Sequence, residues 1–334
     1  MKHLLIFSLV ILGMSACGDD EGSNTAGSGD EGSNTADSGD PATNKPAMEA
    51  LPLIKAGRIH FCTLDSSGAL ACWGGQDVLN PNRHEFYSDT PAGSFVALAV
   101  GGACSCAINA QGGIECWGPE TCDAITEPLA GNFVSLHVQD DCLWALDAQG
   151  AITAKGNDRY DCLNPPSGVG HVAMTAGQCA IDAIGAITCT ERTLQTHGAE
   201  PPTGVFTTIV GDNNHHCALD TEGMIHCWGL NLGGSVSAAQ SRNANSNPPF
   251  RALALGMSQG GHNCVIDSAG RIHCWGGQAE FSGGAHLEDT PTEGNYTAIA
   301  AGAIANCAVD DSQAIVCWGS DTKSALSEAP ARLE

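Results

Sequence analysis

From residue 46 to the C-terminus, apolar and polar positions alternate with a period of two over short runs, each broken by a turn. Cys264-Val-Ile-Asp267 and Arg271-Ile-His-Cys274, joined through Ser268-Ala269-Gly270, read as two strands of a β-hairpin with glycine at the left-handed position. In that register Cys264 faces Cys274. The phrase recurs with the same ten-residue interval at Cys62 and Cys72, Cys106 and Cys116, Cys179 and Cys189, Cys217 and Cys227, and Cys307 and Cys317. A degenerate copy runs from Trp144 through Asp147 and Gly150 to Ala154, with both cysteines replaced. Seven units of about 35 to 47 residues therefore lie end to end.

The turn glycines Gly68, Gly112, Gly150, Gly185, Gly223 and Gly270 recur, whereas the last unit places Gln313 there and must strain or rearrange its turn. The acids Asp65, Asp147, Asp182, Asp220, Asp267 and Asp310 recur at the head of the turns and are expected to cap them through the backbone amides. They sit in separate units, which makes them poor as a ligand set.

Two cysteines facing each other across a hairpin are within disulfide reach, so six such staples are expected. Structural zinc prefers cysteines two to four residues apart and is disfavoured by the ten-residue interval. Cys104, Cys122, Cys142 and Cys162 remain, and Cys104 and Cys142 share one repeat position. Three pairings are open, of which Cys104 with Cys122 and Cys142 with Cys162 is the one expected. No Cys-x-x-Cys redox motif is present.

Each unit holds one clear hairpin with a strand before and after it, which suits a four-stranded blade. The first and last units keep the full apolar pattern, so neither is a polar cap and the array should close into a ring. The expected fold is all-β, a seven-bladed β-propeller spanning 46–334. Closure is expected to pair Ala329-Pro-Ala-Arg-Leu333 with the segment near Leu51-Pro-Leu-Ile54.

The signatures Ala56-Gly57, His60-x-Cys62, Cys217-Ala-Leu-Asp220 and Ile225-His-Cys-Trp228-Gly229 resemble regulator of chromosome condensation repeats. Trp228-Gly-Leu-Asn231 with Gly233 and Gly234 is similar to the loop that follows the tryptophan in that family. The resemblance covers about 290 residues and implies the same propeller, with Trp73, Trp117, Trp228, Trp275 and Trp318 as inter-blade core. Unit four departs most, with Thr190-Glu191 in place of Trp-Gly. For activity the resemblance says little, because propellers host unrelated functions.

Charge narrows the partners. With 37 acidic against 13 basic residues the formal net charge is −24, which repels phosphate backbones and anionic headgroups. Nucleic-acid binding is disfavoured, and with it the nucleotide-exchange and chromatin-docking roles of the best-known member of the family.

Residues 1–16 read as a signal peptide. Lys2 and His3 precede an apolar run, Leu4 to Leu12, that is too short to span a bilayer. Gly13-Met-Ser-Ala-Cys17 resembles a bacterial lipobox and makes Cys17 the expected lipidation site. Residues 17–45, with Asp-Glu-Gly-Ser-Asn-Thr-Ala written twice, read as a disordered acidic tether. The expected address is the bacterial cell envelope, lipid-anchored, at the outer membrane or cell surface rather than the inner membrane.

No nucleophile with a base, paired acids on one element, or histidine-carboxylate metal cluster stands out, so no catalytic residue, metal or cofactor is assigned. His60, His215 and His262 share one repeat position and His226 and His273 another. Such residues either pack within the blades or converge on a central channel. The longer loops after Cys-Trp-Gly, namely Gly75 to Asp89, Leu230 to Pro248 and Gly277 to Asp289, are the expected binding surfaces, with Phe86, Tyr87 and Phe281 as anchors. The function expected is a monomeric, non-enzymatic scaffold whose propeller face recognises a protein or envelope polymer. The alternatives are adhesive display without a dedicated ligand, and a metal-dependent or lyase-type propeller enzyme.

Overall fold

The computed structural model describes residues 53–333 except 76–89, 159–160, 177, 198–199, 247, 257–260, 278–286, 288 and 321–325. These residues belong to one compact unit. Cys17, Phe86, Tyr87 and Phe281 lie outside them, as do the leader and the whole of the tether.

Among the described residues, twenty-one strands form seven antiparallel sheets, each of three consecutive strands. Blade 1 holds β1 (Leu53–Ala56), β2 (His60–Leu64) and β3 (Leu70–Gly74), and blade 2 holds β4 (Phe95–Val100), β5 (Ser105–Asn109) and β6 (Ile114–Trp117). Blade 3 is β7 (Phe133–Gln139), β8 (Cys142–Asp147) and β9 (Ile152–Gly156), and blade 4 is β10 (His171–Met174), β11 (Cys179–Asp182) and β12 (Ile187–Cys189). Blade 5 is β13 (Phe206–Gly211), β14 (His215–Asp220) and β15 (Ile225–Gly229). Blades 6 and 7 are β16 (Ala252–Leu255), β17 (His262–Ile266) and β18 (Ile272–Gly276), then β19 (Tyr296–Ala301), β20 (Ala305–Asp310) and β21 (Ile315–Gly319).

Alternation along each middle strand sends side chains to both neighbouring blades, and the buried apolar residues divide into seven clusters. Leu64 and Cys62 of blade 1 pack with Phe95 and Val100 of blade 2, and Leu219 of blade 5 packs with Phe250 and Trp275 of blade 6. The seventh cluster joins Ile54, Phe61 and Trp73 of blade 1 to Ala300, Cys307 and Val309 of blade 7. An open array of seven blades has six interfaces; seven close a ring.

Closure differs from the expected strand exchange. The C-terminal stretch pairs with its own blade, Ile315 N–H donating to Ala331 C=O at 3.0 Å and Leu333 N–H to Gln313 C=O at 2.9 Å. Blades 1 and 7 meet by face packing, with Leu333 inside the shared cluster, and by the Ala303 N–H to Arg58 C=O bond of 3.1 Å.

The expected fourth strand is also absent as a strand among the described residues. Blade 2 keeps one bridge, Ile114 with Leu129, and blade 7 keeps Ala314 with Arg332. Pro128 and Pro330 immediately precede these short contacts, and a residue without an N–H cannot extend a ladder. In blade 5 a side chain does the work of a strand. Asn243, on α1 (Ala239–Asn245), accepts from Ile225 N–H and donates to Ile225 C=O, both at 2.9 Å.

Candidate functional site

The hairpin turns form one rim. In each, a side-chain oxygen at the head accepts two backbone N–H bonds: Asp182 Oδ1 from Ile184 and Ala186 at 3.0 and 2.8 Å, and Asp220 Oδ1 from Glu222 and Met224 at 2.9 Å each. Asn109 fills the role in blade 2. The six turn glycines take φ between 71° and 85°, and Gln313 holds the same conformation at 68°. Burial works against the charge of Asp65, Asp220 and Asp267, yet the hydrogen bonds they accept hold each carboxyl below the usual range. Asp310 is lowered chiefly by the Ser312 hydroxyl. Asp267, fully buried, also receives Arg271 Nε and His273 Nε2 at 3.0 Å each.

All sixteen cysteines of the repeat region are joined. The hairpin pairs Cys62–Cys72, Cys106–Cys116, Cys179–Cys189, Cys217–Cys227, Cys264–Cys274 and Cys307–Cys317 have Cα atoms 4.0 to 4.1 Å apart. That is the close spacing of antiparallel positions lying between ladder hydrogen bonds. Cys104–Cys122 and Cys142–Cys162 span 5.7 and 6.1 Å and tie the segment after each blade to the start of its middle strand, Cys104 standing just before β5 and Cys142 opening β8. Trp144, standing where blade 3 lacks the hairpin bridge, donates its indole N–H to Cys162 C=O at 2.9 Å.

The five repeated histidines do not converge on the channel. His60, His215 and His262 are buried between blades, each reaching the residue just before the first hairpin cysteine of the next blade. His60 Nε2 lies 2.8 Å from Ser105 Oγ, His215 Nε2 3.0 Å from Asn263 Oδ1 and His262 Nε2 2.7 Å from Asn306 Oδ1. Between blades 4 and 5, Gln178 Nε2 donates to Asn213 Oδ1 at 2.6 Å. Burial pushes the His60 imidazole down to about 3. His226 and His273 stay on their own blades, bonded to Asp220 and Asp267. Among the described residues no group of three or more His, Cys, Asp or Glu is arranged to hold a metal ion.

The innermost strands of all seven blades enclose a central cavity of about 170 Å³. Its lining is mainly aliphatic; of the polar members, Lys55, Ser135 and His137, Lys55 and His137 hold one strand position, opposite Cys62 and Trp144, and sequence reasoning missed them because blades 2, 5, 6 and 7 carry Ala99, Val210, Ala254 and Ala300 there. The His-to-Asn latches were missed for another reason: their two ends lie 44 to 48 residues apart, in different units.

Of the three long loops, Leu230–Pro248 is the one described over most of its length. It folds back onto the propeller. Arg242 Nη2 donates to Cys274 C=O at 3.1 Å with its guanidinium 5.9 Å from the Trp275 ring, while Trp275 Nε1 donates to Ser235 C=O at 2.9 Å. This loop lies along the outer edges of blades 5 and 6, with Leu230, Asn231, Ser237, Gln240 and Ser241 exposed on its other side.

No protein-family profile matches the chain, and no curated protein sequence matches it. Solved structures do. The ectodomain of the Arabidopsis thaliana receptor kinase ACR4, described as a CRINKLY WD40 ectodomain, is 19% identical with a TM-score of 0.59, over 85% of this chain and 99% of that one. The C-terminal domain of gp131 from bacteriophage phiKZ is 14% identical with a TM-score of 0.49, over 86% and 97%. Yeast RCC1 (Prp20), solved with Kap60, is 19% identical with a TM-score of 0.44, over 84% and 74%. At these identities the likeness concerns the fold alone: the chain is a seven-bladed β-propeller.

Proposed function

We propose that this protein is an exported, lipid-anchored binding scaffold whose propeller recognises another protein, without chemistry of its own. The observation that carries the reading is the contrast between a stapled, repeated interior and variable joints. Every blade but the third keeps its hairpin disulfide, and the turn cap recurs in all seven. The segments leading from one blade to the next range from 14 residues (157–170) to 22 (230–251). A rigid core with independently variable joints is how a scaffold presents a specific surface.

Eight disulfides need an oxidising compartment, which fits export through the leader and attachment at Cys17. No helix among the described residues is long and apolar enough to cross a membrane. The repeated histidines are committed to structure: His60, His215 and His262 to blade contacts, His226 and His273 to turn carboxylates.

Crosslinking in the native cell envelope tests the reading. The lipidated protein should yield one stoichiometric protein partner, and replacement of Cys17 by alanine should release the protein from the membrane fraction. Absence of any saturable partner would overturn recognition in favour of passive display.

A further inference from the structure

Resting on that reading, we propose where the partner sits and what chemistry it carries: the turn rim of blade 4 and its junction with blade 5 takes a protein segment bearing apolar side chains flanked by lysine or arginine. Three of the large apolar side chains most exposed among the described residues lie there, Val169 at 74%, Ile184 at 76% and Val205 at 50%. Backbone bonds set them along one arc. Gly170 N–H donates to Gln149 C=O at 3.0 Å, His171 pairs with Asp182, Phe206 N–H donates to Gly185 C=O at 2.9 Å, and Thr221 N–H donates to Val205 C=O at 3.2 Å. Val205 packs beside the turn that carries Ile184, since a Cβ placed on Gly185 would sit 2.5 Å from Val205 Cγ1.

The fold does not ask for these residues. At the turn position of Ile184 the other blades carry Ser67, Gln111, Gln149, Glu222, Ala269 and Ser312, and its structural task, an N–H given to Asp182, is blind to the side chain. At the position of Val169, blades 2, 3, 5 and 7 carry Gly93, Gly131, Gly204 and Gly294. Isolated exposed hydrophobes need no explanation, but three on one arc, at positions that are small or polar in most other blades and proline in blade 6 (Pro248, Pro249), form a patch.

Two features select the occupant. The arc is bordered by Asp147, Asp182, Glu200, Asp220 and Glu222, while segments 147–152, 165–171, 182–187, 200–206 and 220–224 contain no lysine or arginine. An apolar centre with a rim of one sign is complementary to an apolar group between cations. The entries are also stiffened in advance, with Pro165-Pro166 leading to Val169 and Pro201-Pro202 to Val205, so less entropy is lost when a partner docks.

The test titrates the intact propeller with a labelled seven-residue peptide alternating lysine and leucine, beside one with serine for leucine and one with glutamate for lysine. Only the first should bind saturably, and the Ile184→Ser, Val205→Ser double variant should weaken it by about tenfold or more. Both side chains are exposed, so the variant should melt with the parent, which separates lost binding from lost folding. Equal affinity for parent and variant, equal binding of the serine or glutamate peptide, or no saturable binding at all would overturn the proposal. Native-envelope crosslinking of the same variant separates the two readings. A partner retained despite both substitutions overturns this placement and leaves recognition standing, whereas no partner for the parent protein overturns both.

Discussion

Replacing His60 by glutamine probes the blade latches through acid stability. His60 is buried against Ser105, and its imidazole is held at about 3 against an ordinary value of 6.5 because burial disfavours the cation. The unfolded chain therefore takes up this proton first. The stability that neutral His60 contributes is complete above pH 6.5 and is lost as pH falls from 6.5 toward 3. At pH 4.5 the gap has removed about 2 to 3 kcal/mol, at about 1.4 kcal/mol per pH unit. Glutamine retains a hydrogen-bonding group but does not titrate, so His60→Gln lacks this contribution to the acid slope. Turn carboxylates lose their own stabilisation at still lower pH in both proteins and cancel in the difference. Urea unfolding of the disulfide-intact proteins at pH 7.5, 6.0 and 4.5 gives the curve. The parent should fall toward the variant, or below it, as pH drops. A stability difference that stays constant across this range, or an NMR titration placing His60 near 6.5, would refute the reasoning.

Three further outcomes are expected. Asn243→Ala leaves both Ile225 backbone groups without their partner at the edge of blade 5, costing about 2 kcal/mol in denaturant unfolding and accelerating hydrogen exchange at the Ile225 amide. Gln313→Gly removes the strain of a side chain at φ 68° and should raise stability by about 0.5 to 1 kcal/mol, read as a higher melting temperature. Replacing Cys142 and Cys162 together by alanine opens a closure of sequence separation 20 and should cost about 3 kcal/mol in urea unfolding, without disturbing the other seven bridges in a non-reducing peptide map.

The hairpin, its turn glycine, its capping acid and the facing cysteines could be read from the chain because each is settled within about ten residues. Strand alternation and turn stereochemistry act at that range and repeat with the unit. Even the exceptions are local: Gln313 in place of glycine means a turn that strains or rearranges, and it keeps the turn at φ 68°, while Trp144 stands where the hairpin bridge is missing. Seven-fold repetition of a pattern without polar caps then implied the ring. What the sequence could not supply was anything whose two ends lie in different units. His215 and His262 could be aligned with each other, but only the packed ring shows that they reach Asn263 and Asn306 of the next blade instead of the channel. The helix containing Asn243 read as a variable loop, because its role as a surrogate edge strand exists only once it lies against Ile225. Closure by packing of blades 1 and 7, without strand exchange, was decided in the same way: apolar burial is non-directional, and which faces meet is fixed by the geometry of the whole ring.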